Sequence, residues 1–148
     1  AVCGSGFGCY GQVDGLTVSE GLELSGRAAL SDAVALFGSY TLTGTDSNAN
    51  ELPRVPRHDL VLGLEADLGR SAASIEMRRV ADVEASAFAP ADHKVGDYTL
   101  FNASLGYDLT DSTEAYLRVE NLTDEDYETS GGYNMPGRSV FFGVRTSF

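Results

Sequence analysis

Apolar and polar residues alternate one for one through run after run of this chain, a pattern that fits a β-sheet with two unlike faces and little else. From Gly21 to Leu30, one face carries Leu22, Leu24, Gly26, Ala28 and Leu30, and the other Glu23, Ser25, Arg27 and Ala29. After a tight turn, Val34, Leu36, Gly38, Tyr40 and Leu42 share a face. Arg57–Leu68 sets Leu60, Leu62, Leu64, Ala66 and Leu68 against Asp59, Val61, Gly63, Glu65 and Asp67. Ser71–Glu84 sets Ala73, Ile75 and Met77 against Ser74, Glu76 and Arg78. In Asp97–Leu109, Phe101, Ala103, Leu105, Tyr107 and Leu109 oppose Asn102, Ser104 and Asp108. Thr113–Leu122 aligns Ala115, Leu117 and Val119, and Arg138–Phe148 aligns Val140, Phe142, Val144 and Phe148. Helical periodicity is nearly absent. With a long first strand over Tyr10–Leu30, the chain reads as all-β with seven antiparallel strands.

The connections alternate in length. Ser31-Asp32, Gly69-Arg70 and Thr110–Ser112 are tight turns, whereas Gly44–Pro56, Ala85–Gly96 and Thr123–Gly137 are long, polar loops rich in Pro, Gly, Asn and Asp. Short turns at one end and long loops at the other describe an up-and-down meander, the asymmetry of outer-membrane barrels. In that topology Cys3 and Cys9 lie on the outer side.

A soluble sandwich also alternates, burying its leucines in a core and turning its carboxylates to water. Length separates the two. Tilted strands crossing hydrocarbon need about 9–11 residues, soluble strands usually about 5–6, and the runs here are about 10–13 long. Aromatics near strand ends, Tyr40, Tyr107, Phe142 and Phe148, match the interfacial girdles of such barrels. The leucine face is therefore expected to meet lipid. Glu23, Arg27, Asp59, Glu65, Asp67, Glu76, Arg78, Arg118 and Glu120 then line the interior, where they need water, pairing or a polar plug. An odd strand count implies a sheet that does not close on itself and lacks strands at its N-terminal edge.

Composition excludes other classes. The 148 residues are 43% hydrophobic with 7 Tyr and 7 Phe, too apolar for a disordered tail. A net charge of −12 with 10 Lys+Arg repels a phosphate backbone, so nucleic acid is not an expected partner. No apolar stretch approaches the roughly 18–20 residues of a membrane helix. The chain begins at Ala1 without a signal sequence, which reads as a truncation. Cys3 and Cys9, in C-G-S-G-F-G-C, are spaced for a small disulfide loop or stand as two thiols, and lack the further Cys/His pair of a zinc site.

The segment Leu117–Phe148, L-R-V-E-N-L-T-D-E-D-Y-E-T-S-G-G-Y-N-M-P-G-R-S-V-F-F-G-V-R-T-S-F, resembles the closing segment of TonB-dependent outer-membrane receptors. The resemblance rests on Glu120-Asn121-Leu122-Thr123-Asp124, on Asp126-Tyr127, and on Gly132-Tyr133 and Pro136-Gly137-Arg138 before a last strand ending in Phe148. L-P-R-V-P-R-H at Leu52–His58 and G-L-E-L from Gly21 look like late barrel strands of the same family. Thr123 departs from the usual aromatic, and Thr146 stands where the C-terminal assembly signal prefers a hydrophobic residue. The resemblance implies the last seven or so strands of a 22-stranded transmembrane barrel, with the plug and earlier strands outside residues 1–148. It implies uptake of a siderophore, haem or cobalamin energised through TonB by way of the plug. It also implies partners in outer-membrane lipid and the barrel assembly machinery, and an assembly signal at Phe142, Gly143, Val144 and Phe148. D-Y-E-T-x-x-G-Y at Asp126–Tyr133 leans towards the siderophore and cobalamin receptors.

Catalysis, cofactors and resident metals are not expected. Asp124, Glu125, Asp126 and Glu128 lack the ordered spacing and glycine of a calcium loop. His58 and His93 are isolated in sequence, and no nucleophile elbow frames a serine. Two glycosylation patterns, at Asn102 and Asn121, fall where strands are expected and are discounted.

Overall fold

A computed structural model describes residues 16–47, 55–83 and 95–147. Among the described residues nine strands run β1 Thr17–Ala29, β2 Val34–Ser47, β3 Pro56–Asp67, β4 Ser71–Val83, β5 Tyr98–Thr110, β6 Thr113–Glu120, β7 Glu128–Ser130, β8 Tyr133–Asn134 and β9 Ser139–Thr146. Seven form one antiparallel sheet in the order β1-β2-β3-β4-β5-β6-β9, and β7-β8 is a separate hairpin. No described residue is helical.

The register carries the alternation across the whole sheet. One rung runs Ala28, Leu36, Leu64, Ile75, Ala103, Val119 and Val140 on the apolar face. A neighbouring rung places Arg27, Phe37, Gly63, Glu76 and Asn102 on the polar face. Because side chains repeat every two residues, a one-residue slip in any pair would mix these faces, so the apolar stripe itself fixes the register.

That stripe is uncovered. Leu22 is 50% exposed, Leu24 57%, Leu62 44% and Leu105 48%, and no second sheet packs over them among the described residues. A sandwich would bury these side chains. Among the described residues the buried apolar side chains, Val80, Val95 and Tyr98, and the buried Asn121 lie instead towards the loop end.

The tight turns have explicit chemistry. Ser31 Oγ accepts from the Ala33 and Val34 N–H groups at 3.2 and 3.1 Å, closing the β1–β2 turn. Asp67 Oδ1 accepts from Gly69 N–H at 3.0 Å, and Gly69 holds φ +82, a left-handed conformation that glycine adopts without steric cost. Arg70 then donates to the carbonyls of Asp108 and Leu109 at 2.7 and 2.8 Å, tying this turn to the end of β5.

Three boundaries differ from the sequence expectation. β2 continues through Thr43–Ser47, pairing with Thr17–Gly21, where a loop was expected from Gly44. These polar, Thr-rich residues lack the apolar alternation but suit a strand extending beyond the hydrocarbon. β6 stops at Glu120 because Asn121 turns left-handed, at φ 52. The expected loop Thr123–Gly137 contains the β7–β8 hairpin, too short to show a period. The proposed first strand from Tyr10 lies partly outside the described residues, which begin at 16.

Strands alternate in direction, so β1 and β9, first and last of seven, run the same way. Joining them directly would create a parallel pair, so an antiparallel barrel requires an odd number of further strands between them.

Candidate functional site

The polar face is an array of charges that pair among themselves. Arg78 forms a bidentate pair with Asp59, Nε–Oδ1 3.1 Å and Nη2–Oδ2 2.7 Å, from facing strands β4 and β3. Arg27 reaches across β2 to Glu65 at 2.5 Å, Arg118 meets Glu120 at 3.4 Å, and Arg145 meets Glu114 at 3.0 Å. Arg118 also lies over the Phe141 ring, 4.6 Å from its centroid. Ser74 and Ser104 hydroxyls join at 2.7 Å between β4 and β5. This is a surface for water or polar protein, and pairing answers the desolvation problem that the sequence raised for Arg27, Asp59, Glu65, Arg78, Arg118 and Glu120. Glu23, Asp67 and Glu76 have no basic partner among the described residues.

The bidentate pair is half open to solvent, with side-chain exposures of 48% and 24%, so its worth is modest. Replacing Arg78 with lysine keeps the charge but loses the fork. The expected cost is about 0.5–1 kcal/mol, read as a small fall in the denaturation midpoint of the full-length barrel. A loss several times larger would mean that the pair is shielded from water in the intact protein.

At the loop end, the E-N-L-T-D and P-G-R elements prove to be one staple. Asn121 is 4% exposed. Its N–H donates to Asn102 Oδ1 on β5 at 3.1 Å, and its Oδ1 accepts from Glu125 N–H at 2.8 Å. Its Nδ2 donates to the carbonyls of Glu125 and Pro136 at 2.9 and 3.4 Å. Asp124, also left-handed at φ 59, accepts from Arg138 N–H at 2.7 Å. Arg138 Nε returns a bond to the Leu122 carbonyl at 2.9 Å. Both ends of an 18-residue excursion between β6 and β9, residues 121 to 138, are thereby clamped. Tyr127 packs on Tyr98 at the head of β5, ring centroids 4.7 Å apart, which seats the loop over the sheet.

The acidic run in this loop serves the backbone. Glu128 Oε2 accepts from Gly132 N–H at 2.8 Å, and Asp124 is occupied by Arg138. No group of three or more His, Cys, Asp or Glu side chains is placed to hold a metal among the described residues.

Sequence reasoning missed a polar row at the loop end of the otherwise apolar face. Tyr40 Oη lies 2.7 Å from His58 Nδ1, and His58 Nε2 lies 3.5 Å from Asp82 Oδ2. Arg79 donates to Thr99 Oγ1 at 3.1 Å and to Asp97 Oδ2 at 3.0 Å, and Asp97 Oδ1 accepts from Asp82 N–H at 3.0 Å. Asp82 reaches this side because its backbone is left-handed, at φ 54. The row marks where the apolar belt stops, at the level expected of lipid headgroups. In sequence its only sign is the change from Leu60 and Met77 to His58 and Arg79.

Of the anticipated assembly residues, Phe142 and Val144 project from β9 on the apolar face, 85% and 64% exposed, and Gly143 faces Tyr116 on the polar side. Phe148, the Cys3–Cys9 loop and His93 lie outside the described residues. Asn102 sits within β5 and Asn121 just beyond β6, both engaged in the staple.

Comparison with known proteins gives three kinds of likeness. The family model for the TonB dependent receptor-like β-barrel matches residues 1–122. The vitamin B12 transporter BtuB of Vibrio cholerae serotype O1 is 37% identical over 51 residues, 34% of this chain and 8% of that protein. Among solved structures, the copper transporter OprC superposes with a TM-score of 0.78 at 21% identity, over 89% of this chain and 24% of that one. The ferric-catecholate import receptor Fiu from K12 E. coli gives 0.77 at 20%, over 90% of this chain and 21% of that one. The chain thus spans about a quarter of the length of the solved barrels it matches. An open, two-faced meander with a family match over residues 1–122 makes this chain a member of the TonB dependent receptor-like β-barrel family.

Proposed function

We propose that the chain is the C-terminal part of the barrel of an outer-membrane receptor that imports a scarce nutrient with energy delivered through TonB. The observation that carries this reading is the pairing of an uncovered leucine face with a self-paired polar face in strands of 12–14 residues from β1 to β5. That arrangement suits a wall between hydrocarbon and a wet interior. The polar face lines the lumen against a plug, the long loops stand outside the cell, and the stapled loop 121–138 forms part of the outer mouth.

Nothing in this arrangement calls for a catalytic group; the reading is transport and binding. The relatives include a vitamin B12 transporter, a copper transporter and a ferric-catecholate import receptor, so the cargo is assigned to the class of scarce metals and their carriers: siderophore-bound iron, haem, cobalamin or copper. TonB acts through the plug, and the assembly machinery captures the last strand at Phe142, Gly143, Val144 and Phe148.

The test is uptake of labelled cobalamin, ferric siderophores, haem and copper by cells carrying or lacking the full-length receptor, each with and without TonB. Uptake of one cargo that requires both is expected. Equal uptake of all four in every strain would overturn the transport reading while leaving the barrel fold untouched.

A further inference from the structure

Three glycines of the polar face lie beneath a bulky side chain from the facing strand: Gly63 beneath Phe37, Gly106 beneath Glu114 and Gly143 beneath Tyr116. The last involves the terminal strand. Gly143 and Tyr116 are register partners of β9 and β6, and a β-carbon on Gly143 would stand 2.7 Å from Tyr116 Oη and 2.8 Å from Cζ. Real β-carbons do not approach that closely, so any other residue at 143 would displace the ring. The Arg145 guanidinium also lies over the ring, 5.7 Å from its centroid, while paired with Glu114 at 3.0 Å.

The geometry points to Tyr116 and Gly143 as a knob and notch that lock the register of the last strand. A one-residue slip would turn β9's apolar residues inward. A two-residue slip keeps the faces and is the error that hydrophobic pattern alone cannot prevent. It would set Tyr116 against Phe141 or Arg145, neither of which leaves a gap. The lock matters because β9 is an edge: its register decides which N–H and C=O groups meet the next strand. Residue 143 is therefore glycine to receive the tyrosine. The inference rests on the barrel fold and is independent of what the receptor carries.

The experiment uses the full-length receptor with Cys3→Ser and Cys9→Ser, expressed in cells, and measures the folded barrel in the outer membrane by its heat-dependent gel mobility. Gly143→Val, chosen because valine suits a strand, is expected to lower the folded fraction about tenfold by overpacking the notch. Tyr116→Ala alone is expected to lower it about twofold, and Tyr116→Ala with Gly143→Val to recover the level of Tyr116→Ala. A double variant as poor as Gly143→Val, or a Gly143→Val protein that folds normally, overturns the lock. The second measurement is cross-linking. Leu117→Cys with Phe142→Cys bridges the native register, whereas Leu117→Cys with Val140→Cys or Val144→Cys bridges a two-residue slip. Tyr116→Ala is expected to move yield from the first pair to the others; an unchanged distribution overturns the proposal.

Discussion

Asn121→Ala is expected to release the loop between β6 and β9 while leaving the sheet standing. The substitution strands Glu125 N–H, Glu125 C=O and Pro136 C=O, which Asn121 now satisfies. A buried polar group left without its partner costs about 1–3 kcal/mol. Alanine at φ 52 adds about 1–2 kcal/mol, because its β-carbon resists the left-handed backbone that asparagine tolerates. The sum, about 2–5 kcal/mol, falls on the local opening of residues 121–138 and not on the seven-stranded sheet. Amide exchange across the loop in the full-length receptor should accelerate on the order of a hundredfold or more, with β3 and β4 unchanged. Two companions separate the causes. Asn121→Gly removes the backbone strain but not the lost bonds and should fall between wild type and Asn121→Ala. Asn121→Asp keeps the acceptor for Glu125 N–H but places an oxygen against two carbonyls, so it should be no better than Asn121→Gly. Wild-type protection in Asn121→Ala would mean that Tyr127 on Tyr98 and Asp124 with Arg138 suffice to hold the loop.

The sheet was legible in the sequence because its information is local: alternation at Leu60–Leu68 states which side of β3 is greasy without reference to any other strand. The lengths of the connections gave the topology for a similar reason, since a two-residue turn leaves the next strand no place but alongside. The staple was visible as a string of letters and opaque as chemistry. Asn121 and Asp124 look like ordinary loop residues until the fold brings Asn102 from β5 and Arg138 from 14 residues beyond Asp124 to meet them. The polar row of Tyr40, His58, Asp82, Arg79 and Asp97 was hidden because Asp82 belongs by count to the opposite face. Only a left-handed backbone, which nothing in Ala81-Asp82-Val83 announces, turns it outward. Gly143 under Tyr116 required the register of two strands more than 20 residues apart in sequence. The family model, for its part, matches residues 1–122, which take in the G-L-E-L and L-P-R-V-P-R-H elements and end just after the tail resemblance begins at Leu117.

A charge on the apolar face should be far more costly than the same charge on the polar face, and the contrast tests the solvent assigned to each. Leu62 sits in the middle of β3, between Gly38 and Met77, with hydrophobic residues above and below it on the same face. Arginine at the midplane of a barrel's lipid face costs about 2–4 kcal/mol, because the guanidinium must drag water inward or bend towards the headgroups. Ser39 lies at nearly the same height on the other face, facing Ser25 and Val61. Ser39→Arg meets a polar lumen and should cost about 1 kcal/mol or less. Guanidinium titration of the full-length barrel in vesicles, with folded and unfolded species separated on a gel, gives both numbers in one system. Thickening the bilayer leaves Leu62→Arg costly and Ser39→Arg cheap, whereas moving the arginine to Leu68, at the turn end of the same face, brings the cost towards zero. Equal costs at residues 39 and 62, or a lipid-face cost that does not fall from 62 to 68, would mean that protein or water covers the leucines, and the membrane wall would be lost with it.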